Sequence, residues 1–400
     1  MNILFLTLLD FQSLDEKNIY TDLLREFIKN DHYVAVISPT ERRRKEKTHL
    51  IKKENYRILK LRIGNIQKTN IIEKGVTTIM IESLFIKAVK KYFGNIKFDL
   101  VLYSTPPITF QKTIAYVKKR DNAKTYLLLK DIFPQNAVDL GILSKKGLKK
   151  ILYHYFRRKE KKLYNISDKI GCMSEANIKY VYEHNPQIQK DKVELCPNSI
   201  EVVDKSIDKE EKTEIRKRYG LPLDKTIFVY GGNLGKPQGI DFLIECLKTF
   251  ENDSKSFFLI VGMGTEYGKI KKYLMENKPT NMKLMKSMPK EEYEKMIASC
   301  DVGLIFLNHN FTIPNFPSRL LAYMQAKLPV LAATDPNTDI GKVIEENNFG
   351  WWCKSNSVIN FRHKIREALE ANKSILGMNA YVYLEKNYNV IQNYDTIMKM

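Results

Sequence analysis

Three corners in the second half of this 400-residue chain combine glycines, a serine and cations in the way that phosphate oxygens require. The first is Phe228-Val229-Tyr230-Gly231-Gly232-Asn233-Leu234-Gly235-Lys236-Pro237-Gln238-Gly239-Ile240. There an apolar run ends in glycines, which let main-chain N–H groups approach an anion closely, and Lys236 adds a point charge. A tight structural turn would use the same residues. The second corner, Ile260-Val261-Gly262-Met263-Gly264, repeats the pattern more weakly. The third is Ile313-Pro314-Asn315-Phe316-Pro317-Ser318-Arg319-Leu320-Leu321. Pro317 suits a helix entry, and Ser318 reads as a cap or first-turn residue of a helix running through Gln325. Arg319 is electrostatically wrong for a bare helix start, and a docked anion would make it right. The plain alternative is an exposed arginine. No Asp-x-Asp pair lies in an obvious loop. The three corners therefore point to a diphosphate held by backbone, Ser and Arg/Lys, with no metal. Among the histidines only His309, just after a strand end near the third corner, is placed to take part; it reads equally well as a surface residue.

The elements that must position these corners follow a βαβ rhythm, with short apolar runs alternating with helix-period segments. The runs predict strands at 3–9, 33–38, 57–62, 100–103, 125–129, 169–173 and 193–196. After Cys196-Pro197-Asn198-Ser199-Ile200 comes a charge-dense stretch, 201–224, read as the inter-domain connection. The rhythm then restarts with strands at 226–230, 257–261, 282–285, 302–307 and 330–333, and helices at 240–250, 267–276, 290–299, 318–326 and 358–371. The fold expected is α/β: two tandem Rossmann-like, doubly wound domains facing a cleft, with ligands at the carboxyl ends of the strands. The boundaries read as 1–198 and 199–376, with a helical segment 377–400 packing back toward the first domain.

Charge is uneven. Residues 1–200 carry 38 Lys+Arg against 21 Asp+Glu, and residues 201–400 carry 28 against 25. Two basic stretches look like amphipathic helices. In 145–162, nine Lys/Arg surround Leu148, Ile151, Leu152 and Tyr155; in 82–93, Lys87, Lys90 and Lys91 flank Leu84, Phe85, Ala88, Val89, Tyr92 and Phe93. Both are ordinary solvated helices on one reading and a face for an anionic membrane on the other. No zinc-finger spacing, aromatic-basic RNA-binding pattern or helix-turn-helix is visible, so nucleic acid is not an expected partner. Five widely spaced cysteines suggest a reduced, cytoplasmic chain without disulfides. The opening Met1–Leu9 run has no basic flank or cleavage site and reads as a first buried strand.

The ordered series over 226–334 resembles the nucleotide-sugar-binding half of GT-B glycosyltransferases, specifically the retaining glycosyltransferase family four. The series runs through the Gly-Gly-Asn-Leu-Gly loop, the Val-Gly-x-Gly turn, Met288-Pro289, Ala298-Ser299-Cys300-Asp301-Val302-Gly303-Leu304, Pro317-Ser318-Arg319 and Lys327-Leu328-Pro329-Val330. In the first half, Lys130-Asp131-Ile132-Phe133-Pro134 is similar to the family's acceptor-side segment. The resemblance implies donor binding by Gly231, Gly232, Asn233, Lys236, Gln238, Gly262, Gly264, Asn315, Ser318 and Arg319, and catalysis by Asp131, Lys130 and Arg319. Asp131 would orient or deprotonate the acceptor, or else cap a helix. Departures are equally specific. Asn233 and Gln238 hold the places of the family's diphosphate Arg and Lys, so Lys236 and Arg319 must supply the charge. Pro314 and Ala322 hold those of its two glutamates. Lys130 stands where a histidine is usual, and Asp10–Lys17 replaces a glycine-rich loop. Together they resemble a sub-branch of capsule and O-antigen amino-sugar transferases. That branch implies a UDP-activated amino sugar such as UDP-N-acetyl-L-fucosamine as donor, a polyprenyl-diphosphate-linked acceptor, no metal or other cofactor, and a peripheral location on the inner face of the plasma membrane. A non-catalytic membrane-associated partner of a transferase and a GT-B epimerase or hydrolase acting on a UDP-amino sugar are the rival readings.

Overall fold

The computed structural model describes residues 1–66 and 71–400. The chain forms two compact units, Met1–Glu201 with Val390–Met400, and Val202–Asn389. The crossing falls at Glu201/Val202, and the return divides the 377–400 segment at Val390.

The first unit is built on eight strands: β1 Asn2–Leu6, β2 Tyr33–Glu41, β3 His49–Lys52, β4 Tyr56–Ile63, β5 Leu100–Ser104, β6 Lys124–Leu129, β7 Lys169–Cys172 and β8 Val193–Leu195. Their order is β3-β4-β2-β1-β5-β6-β7-β8. All pairs are parallel except β3 with β4. Helices α1 Ile19–Lys29, α2 Ile71–Tyr92, α3 Gln111–Asp121, α4 Gln135–Asp139, α5 Lys149–Ile166 and α6 Glu175–His184 connect them. The near-continuous apolar strands follow from burial on both faces: Ile3, Leu4, Phe5 and Leu6 are all buried. Asn18 starts α1 by accepting from the Tyr20 and Thr21 amides, and the Thr21 hydroxyl answers the Asn18 amide in a capping box.

The second unit has six parallel strands: β9 Thr226–Asn233, β10 Ser256–Met263, β11 Met282–Met285, β12 Val302–Phe306, β13 Val330–Thr334 and β14 Gly350–Lys354. Their order is β11-β10-β9-β12-β13-β14. The helices are α7 Lys209–Arg218, α8 Ile240–Lys248, α9 Tyr267–Asn277, α10 Lys290–Ala298, α11 Arg319–Gln325, α12 Ile340–Glu346, α13 Val358–Glu370 and α14 Lys373–Asn387. A last helix, α15 Val390–Met398, returns to the first unit, where Asn393 Nδ2 donates to the Pro197 carbonyl at 2.7 Å.

The reversal of strand order falls at β1 in one sheet and at β9 in the other. Doubly wound sheets bind ligands outside the carboxyl ends of strands at such a switch point. Gly231-Gly232-Asn233 is the carboxyl end of β9.

Two strands and several helices escape the sequence reading. β3 is a four-residue antiparallel edge strand without a buried residue. β14 carries two tryptophans, with Gly350 in an extended backbone. α7 lies inside the stretch read as a bare connection. Asp208 caps it by accepting from Glu211 N at 2.8 Å, acids lead and bases close it, and Arg216 reaches Asp301 at 2.7 Å.

Candidate functional site

In the second unit, Gly231, Gly232, Asn233, Tyr293, Pro317, Ser318, Arg319 and Ala322 line an open concavity of about 370 Å³. Its backbone is set by sterics. A side chain on Gly231 would begin 1.5 Å from the Tyr293 hydroxyl. Gly232 has φ +122°, a conformation that L side chains rarely adopt. The Gly231 amide donates to the Tyr323 hydroxyl at 3.2 Å, which fixes α11 against the end of β9.

Arg319 is the charge of this site. Its guanidinium carbon lies 4.5 Å from the centre of the Tyr230 ring, a cation–π geometry. Nη1 is buried and has no hydrogen-bond partner, and Arg319 has no carboxylate partner among the described residues. Burial pushes the Tyr230, Tyr293 and Tyr323 phenols up, so they stay neutral and offer no counter-charge. An always-charged group with an unmet buried donor is costly unless an anion completes it. Arginine forks suit phosphate oxygens.

Of the two readings of Ser318, the backbone fits a first-turn residue and not a cap. It does not cap α11: its φ and ψ are −64° and −16°, helical already, and its side chain makes no cap hydrogen bond. The hydroxyl is exposed beside Arg319. α11 has only seven residues, so the anion-binding case rests on Arg319 and not on the helix start.

Other predicted donor residues serve the loop. Gln238 Oε1 accepts from Asn233 Nδ2 at 3.0 Å and from the Gly235 amide at 3.2 Å. Gly262 and Gly264 allow strand-end packing: a Cβ would meet the Gly232 carbonyl oxygen at 1.9 Å and the Leu234 carbonyl oxygen at 2.2 Å. Lys236 is exposed and is not in the concavity's wall. Asn315 also stands outside that wall. Its carbonyl accepts from the Thr338 hydroxyl at 2.6 Å, while its Nδ2 is buried without a partner. His309 is exposed in the turn after β12. The tyrosines are the residues that sequence reasoning missed. Tyr323 follows Arg319 by four, one helical turn, and was legible on that spacing. Tyr293 arrives from α10, and no local pattern announces it.

In the first unit, Lys130 and Asp131 follow the carboxyl end of β6, and both amides donate to Thr105 Oγ1 at 3.1 Å. Lys130 is a strut: Nζ donates to the Cys196 carbonyl at 3.1 Å and the Pro197 carbonyl at 3.0 Å. Burial lowers its pKa. Asp131 differs. Burial pushes its carboxyl up to about 7, against hydrogen bonds from the Ile132 backbone and from Asn136 Nδ2 at 2.6 Å. It does not cap α4, whose start carries no side-chain cap bond. The loop after β1 is closed by a charge from β4: Lys60, fully buried, binds Asp10, the Phe11 carbonyl at 3.0 Å and Ser38 Oγ at 3.2 Å. All five cysteines are free and buried. Among the described residues no cluster of three or more His, Cys, Asp or Glu could hold a metal ion, and no helix is long and apolar enough to cross a membrane.

Residues 211–384 match the family model for glycosyl transferases group 1. That match lies within the second unit and spans most of it. The chain is 27% identical to WbjE of Pseudomonas aeruginosa, named as a probable glycosyltransferase, over 80% of this chain and 78% of that one. It is 22% identical to WcaI of Escherichia coli K12, named for colanic acid biosynthesis, over 62% and 60%. Among solved structures, Anabaena HepE in complex with UDP-glucose superposes with TM-score 0.71 at 12% identity, covering 100% of this chain and 98% of that one. The fold is that of GT-B glycosyltransferases, with two parallel-sheet Rossmann-like units.

Proposed function

We propose that this protein is a retaining, metal-independent glycosyltransferase. It moves an N-acetylhexosamine, with a 6-deoxy sugar such as N-acetyl-L-fucosamine as the leading candidate, from a UDP-sugar to a polyprenyl-diphosphate-linked sugar during assembly of a bacterial surface polysaccharide. The observation that carries the reading is Arg319: a cation with an unmet buried donor, set over Tyr230 beside the Gly231-Gly232 turn at a switch point. The names of the relatives support the polysaccharide setting, and the UDP-glucose complex of HepE supports a UDP-sugar donor.

The chemistry assigned to these residues is electrostatic. Cleavage of the glycosidic phosphate bond releases UDP, and Arg319 with the Ser318 hydroxyl stabilises the charge that builds on it. A carboxyl poised near neutrality can take a proton from the acceptor hydroxyl, and Asp131 is the residue suited to that role. Pro314 and Ala322 remove two carboxylates from the sugar side, which favours a donor with fewer hydroxyls to bind. The strongly basic first half suits an anionic acceptor at the inner face of the plasma membrane.

The test is transfer in EDTA. Purified protein is incubated with a polyprenyl-diphosphate amino sugar and a panel of UDP-N-acetylhexosamines, including 6-deoxy forms, and mass spectrometry seeks the added sugar. A product from one donor, undiminished by EDTA, is the expected result. UDP binding without any product across the panel would favour the non-catalytic reading.

A further inference from the structure

The two basic amphipathic helices have the same sequence pattern and opposite placements. In α2 the apolar stripe is core: Phe85 and Val89 are fully buried, and Phe85 packs on Phe110 at 4.8 Å. Its lysines are the solvated rim of an ordinary helix.

In α5 the stripe faces out. Leu148, just before the helix, is 89% exposed, Ile151 74%, Leu152 47% and Tyr155 40%. The helix is held to its unit by its other face, through the buried Leu163 and Tyr164, through Arg157 Nη2, which donates to the His184 carbonyl and to Asn185 Oδ1, each at 2.7 Å, and through Phe156 against Phe133 at 5.0 Å. So Leu148, Ile151, Leu152 and Tyr155, at helical spacings of three, one and three, are surplus to the core. Seven residues on from Ile151 and Tyr155, the same stripe continues as Arg158 and Lys162, both exposed. Beside its apolar end stand Lys146, Lys149 and Lys150, all exposed and without a carboxylate partner among the described residues. Solvent-facing leucine and isoleucine ringed by unpaired lysine is unfavourable in water. At a bilayer surface, side chains of this kind enter the acyl boundary while ammonium groups meet lipid phosphate.

We infer that the start of α5 is a membrane-docking element, in which Leu148 and Ile151 insert into the leaflet and Lys146, Lys149 and Lys150 bind anionic phospholipid headgroups. The lipid is chosen over an apolar protein groove by charge: no acid interrupts the run from Lys145 to Lys159. The inference deepens the proposed function, from which it takes a membrane-borne acceptor, but vesicle binding is measured without donor or acceptor.

The full-length protein is sedimented with phosphatidylcholine vesicles with and without phosphatidylglycerol. The wild type should bind the anionic vesicles and be released by salt. Leu148→Glu with Ile151→Glu should weaken binding at least roughly tenfold. Each of Lys149→Gln and Lys150→Gln should weaken it roughly fivefold. Lys87→Gln on α2, the same charge change beside an apolar stripe that is core, should cost clearly less. Unaltered UDP binding by each variant shows that it is folded. Wild-type binding that the Leu148/Ile151 variant retains in full would overturn the inference. So would vesicle-free dimerisation abolished by Leu148→Glu, which would make a second copy the occupant. Loss of UDP binding by the wild type itself would instead count against the proposed function.

Discussion

The two sheets share a topology and differ at the point where that topology invites a ligand. At the switch point of the first unit the cation is Lys60, fully buried, and all its donors meet acceptors: Asp10, the Phe11 carbonyl and Ser38. At the switch point of the second unit the cation is Arg319, and it meets only neutral tyrosines, with one buried N–H unmatched. A buried cation with its hydrogen bonds complete is part of the fold. One with donors to spare is the candidate for holding an anion, as proposed for Arg319. Composition alone does not distinguish them; their hydrogen-bond partners do.

This contrast can be broken from several sides. The largest effect is expected at Asp131. Asp131→Asn should lower the transfer rate by about 10²- to 10⁴-fold, with UDP affinity unchanged in calorimetry. A matched loss of UDP affinity would mean that the first unit takes part in binding the nucleotide. Next is Lys60→Met, which strips a fully buried ion from its partner and should destabilise the protein by about 3 kcal/mol in urea unfolding. UDP affinity should stay within about twofold, because Lys60 is purely structural. Tyr230→Leu removes the ring beneath Arg319 and should weaken UDP binding by roughly threefold to tenfold, the worth of a partly buried cation–π contact.

The smallest expected effect is one of shape. Asp131 has its carboxyl raised to about 7 from 3.8. The folded chain therefore holds a proton that the unfolded chain has lost between those values. This group's contribution to stability accordingly falls as pH rises through that window, and the loss is complete above about 7. Asp131→Asn should flatten that slope in pH-dependent melting and leave the variant relatively more stable at pH 8. In the wild type, transfer should rise with pH to a plateau above about 7, as a base must be ionised to act. A flat profile would remove Asp131 from that role.

Much of the fold was legible because buried parallel strands read as continuous apolar runs. Ile3–Leu6 and Val330–Ala333 could be little else. Short or mixed elements were not. β3 buries none of its side chains, and α7 was hidden by its own charge although its cap and charge order were there to read. Within the site, the glycine turn and Arg319 were legible from chain order. The distinction between Gly231-Gly232, which line the concavity, and Gly262 and Gly264, which let strand ends touch, was not. It depends on what a missing Cβ would strike, and that is a fact about neighbours distant in sequence. The strut made by Lys130 was hidden for the same reason: its acceptors lie 66 and 67 residues away. The exposed stripe of α5 was visible as a stripe, and only the packing of Leu163 and Tyr164 shows which face was left over.

The central claim is that Arg319 is held ready for a diphosphate. Calorimetric titration of UDP into the wild type and into Arg319→Ala, both in EDTA, tests it most directly. The wild type should bind saturably, and the variant should have an affinity lower by at least roughly thirtyfold, the cost of deleting a charge-assisted partner. Equal affinity in the two proteins would contradict the claim.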